Sequence, residues 1–170
     1  MPIDFFKDCI RSESNNAVFG LCDDSKDGET KPAYIDESDS CKWIAIVSNK
    51  DSSLLSFYAI DGCVSWLRKD GTESGKCDGM LWHENHRNVI FVELKDRTLR
   101  SNEWRKDARD QLKETISYFV EHHDVSSFKK IEAYICNKKH LKEQRYAQFC
   151  NNIKIDTGYR LHVSREIQIE

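Results

Sequence analysis

The stretch that decides the fold is CDGMLWHENHRNVIFVELKDR, which runs from Cys77 to Arg97. Its second half, NVIFVELK, is the most apolar and β-prone run in the chain, yet it carries Glu93 and Lys95. Because side chains alternate along a strand, Glu93 and Lys95 share one face with Phe91, and their backbones lie ~7 Å apart. Charges on a buried strand must be paired or coordinated, so this pair calls for a partner.

Asp78 lies near the start of the preceding predicted strand, CDGMLW, and HENHR connects the two strands. In an antiparallel pair the start of one strand lies beside the end of the next, so Asp78 comes towards Lys95. Two carboxylates and an ammonium at one strand end favour a divalent cation, since Mg²⁺ prefers oxygen ligands. The lysine would then position a metal-activated water or stabilise the charge that develops on a phosphate.

The spacing of Asp78, fourteen intervening residues and Glu93–Lys95 resembles the D…(D/E)xK signature of the restriction-endonuclease-like, or PD-(D/E)xK, phosphodiesterase superfamily. The resemblance spans the segment from Asp61 to Cys136 and includes the apolar strand before the motif and a long helix after it. It implies a mixed β-sheet flanked by helices and a nuclease that depends on Mg²⁺ or Mn²⁺. The implied partner is nucleic acid, with DNA preferred over RNA.

On this resemblance, Asp78 and Glu93 would ligate the metal, with the Leu94 carbonyl as a third ligand. Lys95 would position the attacking water. Gln111, on the following helix, falls where several nuclease branches keep a glutamine near the active site, although their QxxxY form is not reproduced.

Some positions depart from the superfamily pattern or leave it open. Cys77 stands where the motif has proline, which is a tolerated departure. Many members add an acid from the first helix, and Glu13 or Asp8 would fill that role here. Asp61, at the end of an apolar segment, is a third candidate, with a turn or bulge as the alternative.

Each of these features also has a purely structural interpretation. Glu93 and Lys95 would be a solvent-facing pair on a half-exposed strand, although this would expose Phe91 too. Asp78 and the glycine after it would form a turn, which this dipeptide favours. Trp104 would start the apolar stripe of the long helix, instead of stacking on a nucleic acid beside Arg97, Arg100 and Arg105.

The segment WHENH resembles zinc-protease and HNH-nuclease motifs, but no histidine lies four residues after His83. We interpret it as the connection between the two strands.

Periodicity predicts the elements around this stretch. IDFFKDCIRS is predicted as a short amphipathic helix, and KWIAIVS, LSFYAIDGCVSWL, CDGMLW and NVIFVELK as a mostly antiparallel four-strand meander. Apolar residues then recur at helical spacing and predict a long amphipathic helix: Trp104, Ala108, Leu112, Ile116 and Phe119. KKIEAYICN, KHLKEQRYAQFCNN and GYRLHVSREIQIE are predicted as strand, helix and strand, with Leu161 and Val163 turned inward.

We therefore predict a single restriction-endonuclease-like α/β domain over residues 1–170, with an acidic and partly irregular segment at residues 1–40. Its mixed sheet would combine the antiparallel meander with a strand–helix–strand crossover, and helices would flank it. The chain is 39% hydrophobic and 32% charged, which is enough apolar material for one core.

The charge distribution keeps a second function class open. The net charge is −3, so no overall basic signature indicates a nucleic-acid binder. Residues 1–40 carry 4 basic and 10 acidic side chains (4 − 10 = −6), whereas residues 95–145 carry 13 and 9 (13 − 9 = +4). The acidic half suits a protein partner better than DNA. The alternative function is therefore a catalytically inactive binding module of the same fold, of the immunity or accessory type.

Cysteine usage and the N-terminal residues indicate the compartment. The seven cysteines are odd in number and form no CxxC pair, so neither a disulfide framework nor a zinc ribbon is predicted. The start of the chain lacks the apolar core of a signal peptide, and no apolar run approaches membrane-spanning length. We expect a reduced, cytoplasmic protein without membrane contact. The resemblance allows a homodimer, which no sequence feature decides.

Overall fold

The computed structural model describes residues 2–96, 103–139 and 158–170. Ten strands are found in these ranges: β1 Ile10–Ser14, β2 Val18–Cys22, β3 Tyr34–Asp36, β4 Ala45–Ser48, β5 Leu55–Ala59, β6 Gly79–His83, β7 Asn88–Lys95, β8 Lys130–Asn137, β9 Arg160–Val163 and β10 Glu166–Gln168. The helices are the single-turn α1, Phe5–Asp8, and the long α2, Glu103–His122, with short 3₁₀ turns at Ser40–Lys42 and Val125–Ser127.

The described strands form two mixed sheets. The large sheet has the order β1-β5-β6-β7-β8-β9, and the small sheet has the order β10-β4-β2-β3. In the large sheet, β1, β5, β6 and β7 are antiparallel neighbours, while β7, β8 and β9 run parallel. The chain is therefore mixed α/β, and the predicted strand–helix–strand crossover is present as β7, α2 and β8.

The strand β7 lies in the middle of the large sheet and is covered on both faces. Phe91 belongs to a first core that α1 and α2 form against one face of the large sheet. Val92 and Leu94 belong to a second core between the large and small sheets. Layers on both sides account for its nearly unbroken apolar run, because such a strand has no face left for water.

The predicted long helix is observed as α2, and its apolar stripe faces the large sheet. All five stripe residues are buried: Trp104, Ala108, Leu112, Ile116 and Phe119. Burying each large side chain contributes roughly 1.5–3 kcal/mol, so this stripe holds α2 on the sheet. Trp104 is thus a core residue, as its structural interpretation has it, while Arg97 and Arg100 lie outside the described residues.

Several predicted elements differ in the structure. KWIAIVS forms β4, but β4 pairs with β2 and β10 in the small sheet, so the four-strand meander was wrong in its first member. Its place in the large sheet is taken by β1, where Ile10 pairs with Ala59. The predicted first helix consequently ends after one turn, because Ile10 already belongs to a strand.

The end of the chain also differs from the prediction. GYRLHVSREIQIE forms two strands, and the break at Ser164–Arg165 lets β9 join the large sheet and β10 the small one. Leu161 and Val163 are buried, as predicted. The helix predicted at KHLKEQRYAQFCNN lies almost entirely outside the described residues.

Two further findings concern the sequence expectations. In the described ranges, neither helix combines the length and the apolar character needed to cross a membrane. Six cysteines lie in these ranges, and all six are free thiols: Cys9, Cys22, Cys41, Cys63, Cys77 and Cys136.

Candidate functional site

The site lies where β6 begins and β7 continues beyond it. The two strands pair from His83 opposite Asn88 to Gly79 opposite Val92. Beyond Val92, the β6 side of β7 has no strand partner in this ladder, and the Leu94 N–H donates instead to Asp78 Oδ2 at 2.6 Å. The carboxylate of Asp78 is therefore held against the end of β7, as antiparallel pairing predicts.

Glu93 lies next to this contact and is almost fully buried, with 3% of its side chain exposed. Its Oε1 accepts from Lys95 Nζ at 3.0 Å. Its Oε2 has no hydrogen-bond partner among the described residues. Lys95 is only 18% exposed, so the solvent-facing interpretation of the pair is wrong.

Gln111 joins the site from the first helical turns of α2. With its amide nitrogen turned towards the strand, it donates to Glu93 Oε1 at 3.0 Å and to the Asp107 carbonyl at 3.2 Å. The opposite orientation offers only a 3.5 Å contact from Lys95 Nζ to the amide oxygen. The first orientation gives shorter and more numerous bonds, so we assign Gln111 as a donor to Glu93.

The electrostatics of the two carboxyl groups are unfavourable to their charged forms. Burial raises the pKa of Asp78 well above its usual range, and the charge of Glu93 raises it further. Burial raises the pKa of Glu93 to about 7, although the Lys95 ammonium opposes this shift. The pair therefore binds a proton near neutral pH or requires a positive charge that the described residues do not fully supply.

Two more acids act on this pair from other segments. Asp61 follows β5 and lies beside Cys77, to whose carbonyl its N–H donates at 3.2 Å, and its charge adds to the raised pKa of Glu93. Asp23 follows β2 in the other sheet, and its charge adds to the raised pKa of Asp78. The turn at Asp61 is also present, since Gly62 has a φ of 77°.

The acids expected from the start of the chain are not brought to this pair. Glu13 lies on β1, pairs with Arg11 at 2.8 Å and is opposite Ser56, near the far end of β5. Asp8 ends α1 and accepts from the Asp4 N–H at 2.8 Å on the exposed surface. Asp23 was missed because its signal, an acid directly after the apolar strand VFGLC, was hidden in an acidic segment.

The loop before Asp78 is tied to α2 by hydrogen bonds that the sequence did not reveal. The Cys77 N–H donates to Thr115 Oγ1 at 2.8 Å in the protein interior. The neighbouring residue on α2 is Glu114. Its carboxylate accepts from Arg68 at 2.7 and 2.9 Å, from Ser74 at 2.6 Å and from the Gly75 N–H at 3.1 Å. The same helix thus positions Glu93 through Gln111 and Asp78 through the residue before it.

Gly79 follows Asp78 for a packing reason and not to make a turn. A Cβ at this position would lie 2.3 Å from the Phe57 ring and 2.6 Å from the Tyr58 carbonyl oxygen. Gly79 starts β6, so the turn interpretation of this dipeptide is wrong.

The WHENH segment is only partly a connection, because Trp82 and His83 end β6 and residues 84–87 join it to β7. His83 is buried, stacks on His86 with ring centroids 4.1 Å apart, and accepts from the His86 N–H at 3.3 Å. These contacts close the hairpin between β6 and β7.

The carboxyl groups of Asp78 and Glu93 provide oxygen ligands of the kind that a hard divalent cation prefers. Among the described residues, no three His, Cys, Asp or Glu side chains are grouped to hold a metal ion by themselves. Glu93 Oε2 has no hydrogen-bond partner among the described residues, and Asp78 provides a second carboxyl group beside β7. Because the N–H and C=O of one strand residue point to the same edge, the Leu94 carbonyl faces this side too. Mg²⁺ commonly takes one or two carboxylates and completes its shell with water and substrate oxygens, so this donor set fits it.

Comparison with known proteins adds no relative: no protein-family model, curated protein or solved structure matches this chain.

Proposed function

We propose that this protein is a divalent-metal-dependent nuclease of the PD-(D/E)xK type that hydrolyses phosphodiester bonds, with DNA as its substrate. The observation that carries the proposal is the Glu93 carboxylate, which is 3% exposed and leaves one buried oxygen without a hydrogen-bond partner among the described residues. An unsatisfied buried anion is costly to folding, so a chain that keeps one gains most if the oxygen binds a ligand.

The groups that would hold the metal are the Asp78 and Glu93 carboxylates and the Leu94 carbonyl. When bound there, Mg²⁺ or Mn²⁺ would acidify a water molecule and neutralise charge on the scissile phosphate. The raised pKa values of both carboxyl groups support this assignment, because burial, their main cause, makes the charged carboxylates costly unless a cation binds them.

Lys95 and Gln111 would act on either side of Glu93. Lys95 Nζ lies 3.0 Å from Glu93 Oε1, so its ammonium charge would lie beside an attacking water or a phosphate oxygen bound at the pair. Gln111 donates to the same oxygen from α2, so both neighbours occupy Oε1 and leave Oε2 for a metal ion. Lys95 is the residue that would stabilise negative charge as it develops, because its ammonium is in contact with Glu93.

The test is cleavage of DNA in Mg²⁺ or Mn²⁺, offered as supercoiled plasmid and as single-stranded circles and labelled oligonucleotides, with EDTA as the metal-free condition. Wild-type protein should cut, and Asp78→Asn, Glu93→Gln and Lys95→Met should each lower the rate by a factor of about 10² or more. Unchanged activity in both the Glu93 and the Lys95 variants would overturn the assignment.

Glu132→Gln is the matched control for the loss of a buried carboxylate. Glu132 lies on β8 next to β7, is also buried, and has both oxygens occupied by Lys130 and His162. Its variant should retain cleavage if it folds, which circular dichroism would verify.

The alternative is a binding module of the same fold without catalysis, which the acidic N-terminal segment favours. Calorimetric titration with Mn²⁺ separates the two. A metal site at the pair predicts heat that Asp78→Asn removes, whereas an inactive binding module predicts no metal-dependent heat and no cleavage.

A further inference from the structure

A cleft of about 410 Å³ opens beside Lys95, at the end of β7 that carries the candidate site. Leu94 and Lys95 line the cleft, and Lys95 Nζ contacts Glu93 Oε1 at 3.0 Å, so the cleft lies next to the carboxylate pair. A volume of this size accommodates a ligand of drug-like dimensions, comparable to one or two nucleotides and much smaller than a duplex.

One wall of the cleft is basic and its lysines are held in place. Lys138 continues β8, where its N–H donates to the Lys95 carbonyl at 2.9 Å, and its Nζ donates to the Cys41 carbonyl at 2.7 Å. Lys42 ends the neighbouring 3₁₀ turn, and its Nζ lies 5.8 Å from the centre of the Tyr34 ring. An ammonium has three donors, so Lys138 keeps two for a ligand.

The loop after β2 also lines the cleft, with Asp23 and Asp27 and with Lys26 between them. Hydrogen bonds within the loop hold its conformation. Asp23 Oδ1 accepts from the Ser25 N–H at 2.9 Å, and Lys26 and Glu29 form an isolated antiparallel β-bridge. The Asp23 and Asp27 carboxylates would repel a second phosphate backbone bound beside the loop, while they can accept hydrogen bonds from exocyclic base amines.

We propose that this cleft binds one strand of nucleic acid, with the phosphates on the wall formed by Lys42 and Lys138 and the bases towards the loop after β2. The inference rests on the proposed function for the identity of the ligand and adds to it that the substrate is single-stranded at the site. A duplex would bring its second backbone against Asp23 and Asp27, whereas one strand presents charge on one side only.

The test is fluorescence anisotropy with a labelled oligonucleotide, as a single strand and as a duplex of the same sequence. The Glu93→Gln protein is used in EDTA so that binding is measured without cleavage. The single strand should bind at least tenfold more tightly than the duplex. Lys42→Ala combined with Lys138→Ala should weaken single-strand binding at least tenfold. The slope of log K against log[salt] should become shallower by about 1.4, as expected for the loss of two phosphate contacts on a single strand.

The matched control is Lys50→Ala combined with Lys69→Ala, which removes the same charge from two exposed turns outside the cleft. It should change affinity by less than twofold. Equal or tighter duplex binding, or equal effects of the two double variants, would overturn the cleft assignment. Tight single-strand binding without any cleavage by the wild-type protein would overturn the proposed function alone, so the two failures are distinguishable.

Discussion

Glu93 and Glu132 lie on neighbouring strands of the large sheet and are both buried, yet their surroundings are opposite. Glu132 has Oε1 3.2 Å from Lys130 Nζ and Oε2 2.8 Å from His162 Nε2. Burial alone would raise its pKa, but the hydrogen bonds from His162 and Lys130 outweigh burial and leave the pKa below its usual value. Glu93 has one oxygen satisfied and one without a partner among the described residues, and burial raises its pKa to about 7.

The difference teaches how to separate a structural carboxylate from one that requires a ligand. A buried carboxylate with every oxygen occupied belongs to the folded network, and removing it leaves its cationic partners uncompensated. A buried carboxylate with a vacant oxygen destabilises the fold when charged, so its removal should help folding while it harms binding.

The largest expected effect is a loss of stability on substitution of Glu132, whose two oxygens both have partners. Glu132→Gln should lower the free energy of unfolding by about 3 kcal/mol at pH 7.5, because His162 and the partly exposed Lys130 each lose a hydrogen bond to a charged partner. Urea denaturation followed by circular dichroism measures this loss. A change below 1 kcal/mol would show that the network around Glu132 contributes little.

Glu93→Gln should have the opposite effect and raise the free energy of unfolding above pH 7. The folded protein holds a proton on Glu93 up to about pH 7, whereas the unfolded chain releases it near 4.5, so wild-type stability falls as pH rises between these values. The variant lacks this loss and should be more stable by about 2–3 kcal/mol at pH 8, with no gain at pH 4. Denaturation in EDTA at the two pH values checks the sign, and a destabilised variant at pH 8 would contradict it.

The affinity of the carboxylate pair for a metal ion should also depend on pH, because a proton on Glu93 competes with the metal. A cation that displaces the Glu93 proton should bind roughly fivefold more tightly at pH 7 than at pH 6, and it should gain only about twofold more above pH 7. Mn²⁺ titration calorimetry at several pH values measures this slope. An affinity independent of pH over this range would mean that Glu93 is not among the ligands.

The smallest expected effect concerns the tether of Asp78 to α2. Thr115→Val removes the acceptor of the buried Cys77 N–H and should cost about 1–2 kcal/mol in stability. If Thr115 positions Asp78, Mn²⁺ affinity should also fall, and Thr115→Ser should restore both quantities. Loss of stability with full metal affinity would make the tether structural only.

Much of the site could be predicted from its own strand. Alternation along NVIFVELK placed Glu93 and Lys95 on the face of Phe91, and antiparallel pairing across HENHR brought Asp78 towards them. Gln111 was expected only through the superfamily resemblance, and its contact with Glu93 is a matter of where α2 packs on the sheet. Asp23 could not be predicted, because its approach depends on the small sheet covering the large one.

The sequence by itself determined the faces and ends of elements, namely the charged face of β7, the hairpin with β6 and the apolar stripe of α2. These follow from side-chain periodicity, which is a local property of the backbone. Only the tertiary structure decided which sheet β4 joins, that Asp61 and Asp23 act on the carboxylate pair, and that Glu132 is satisfied while Glu93 is not. Those outcomes depend on pairing and burial between segments distant in the chain, and local periodicity carries no information about which distant segments become neighbours.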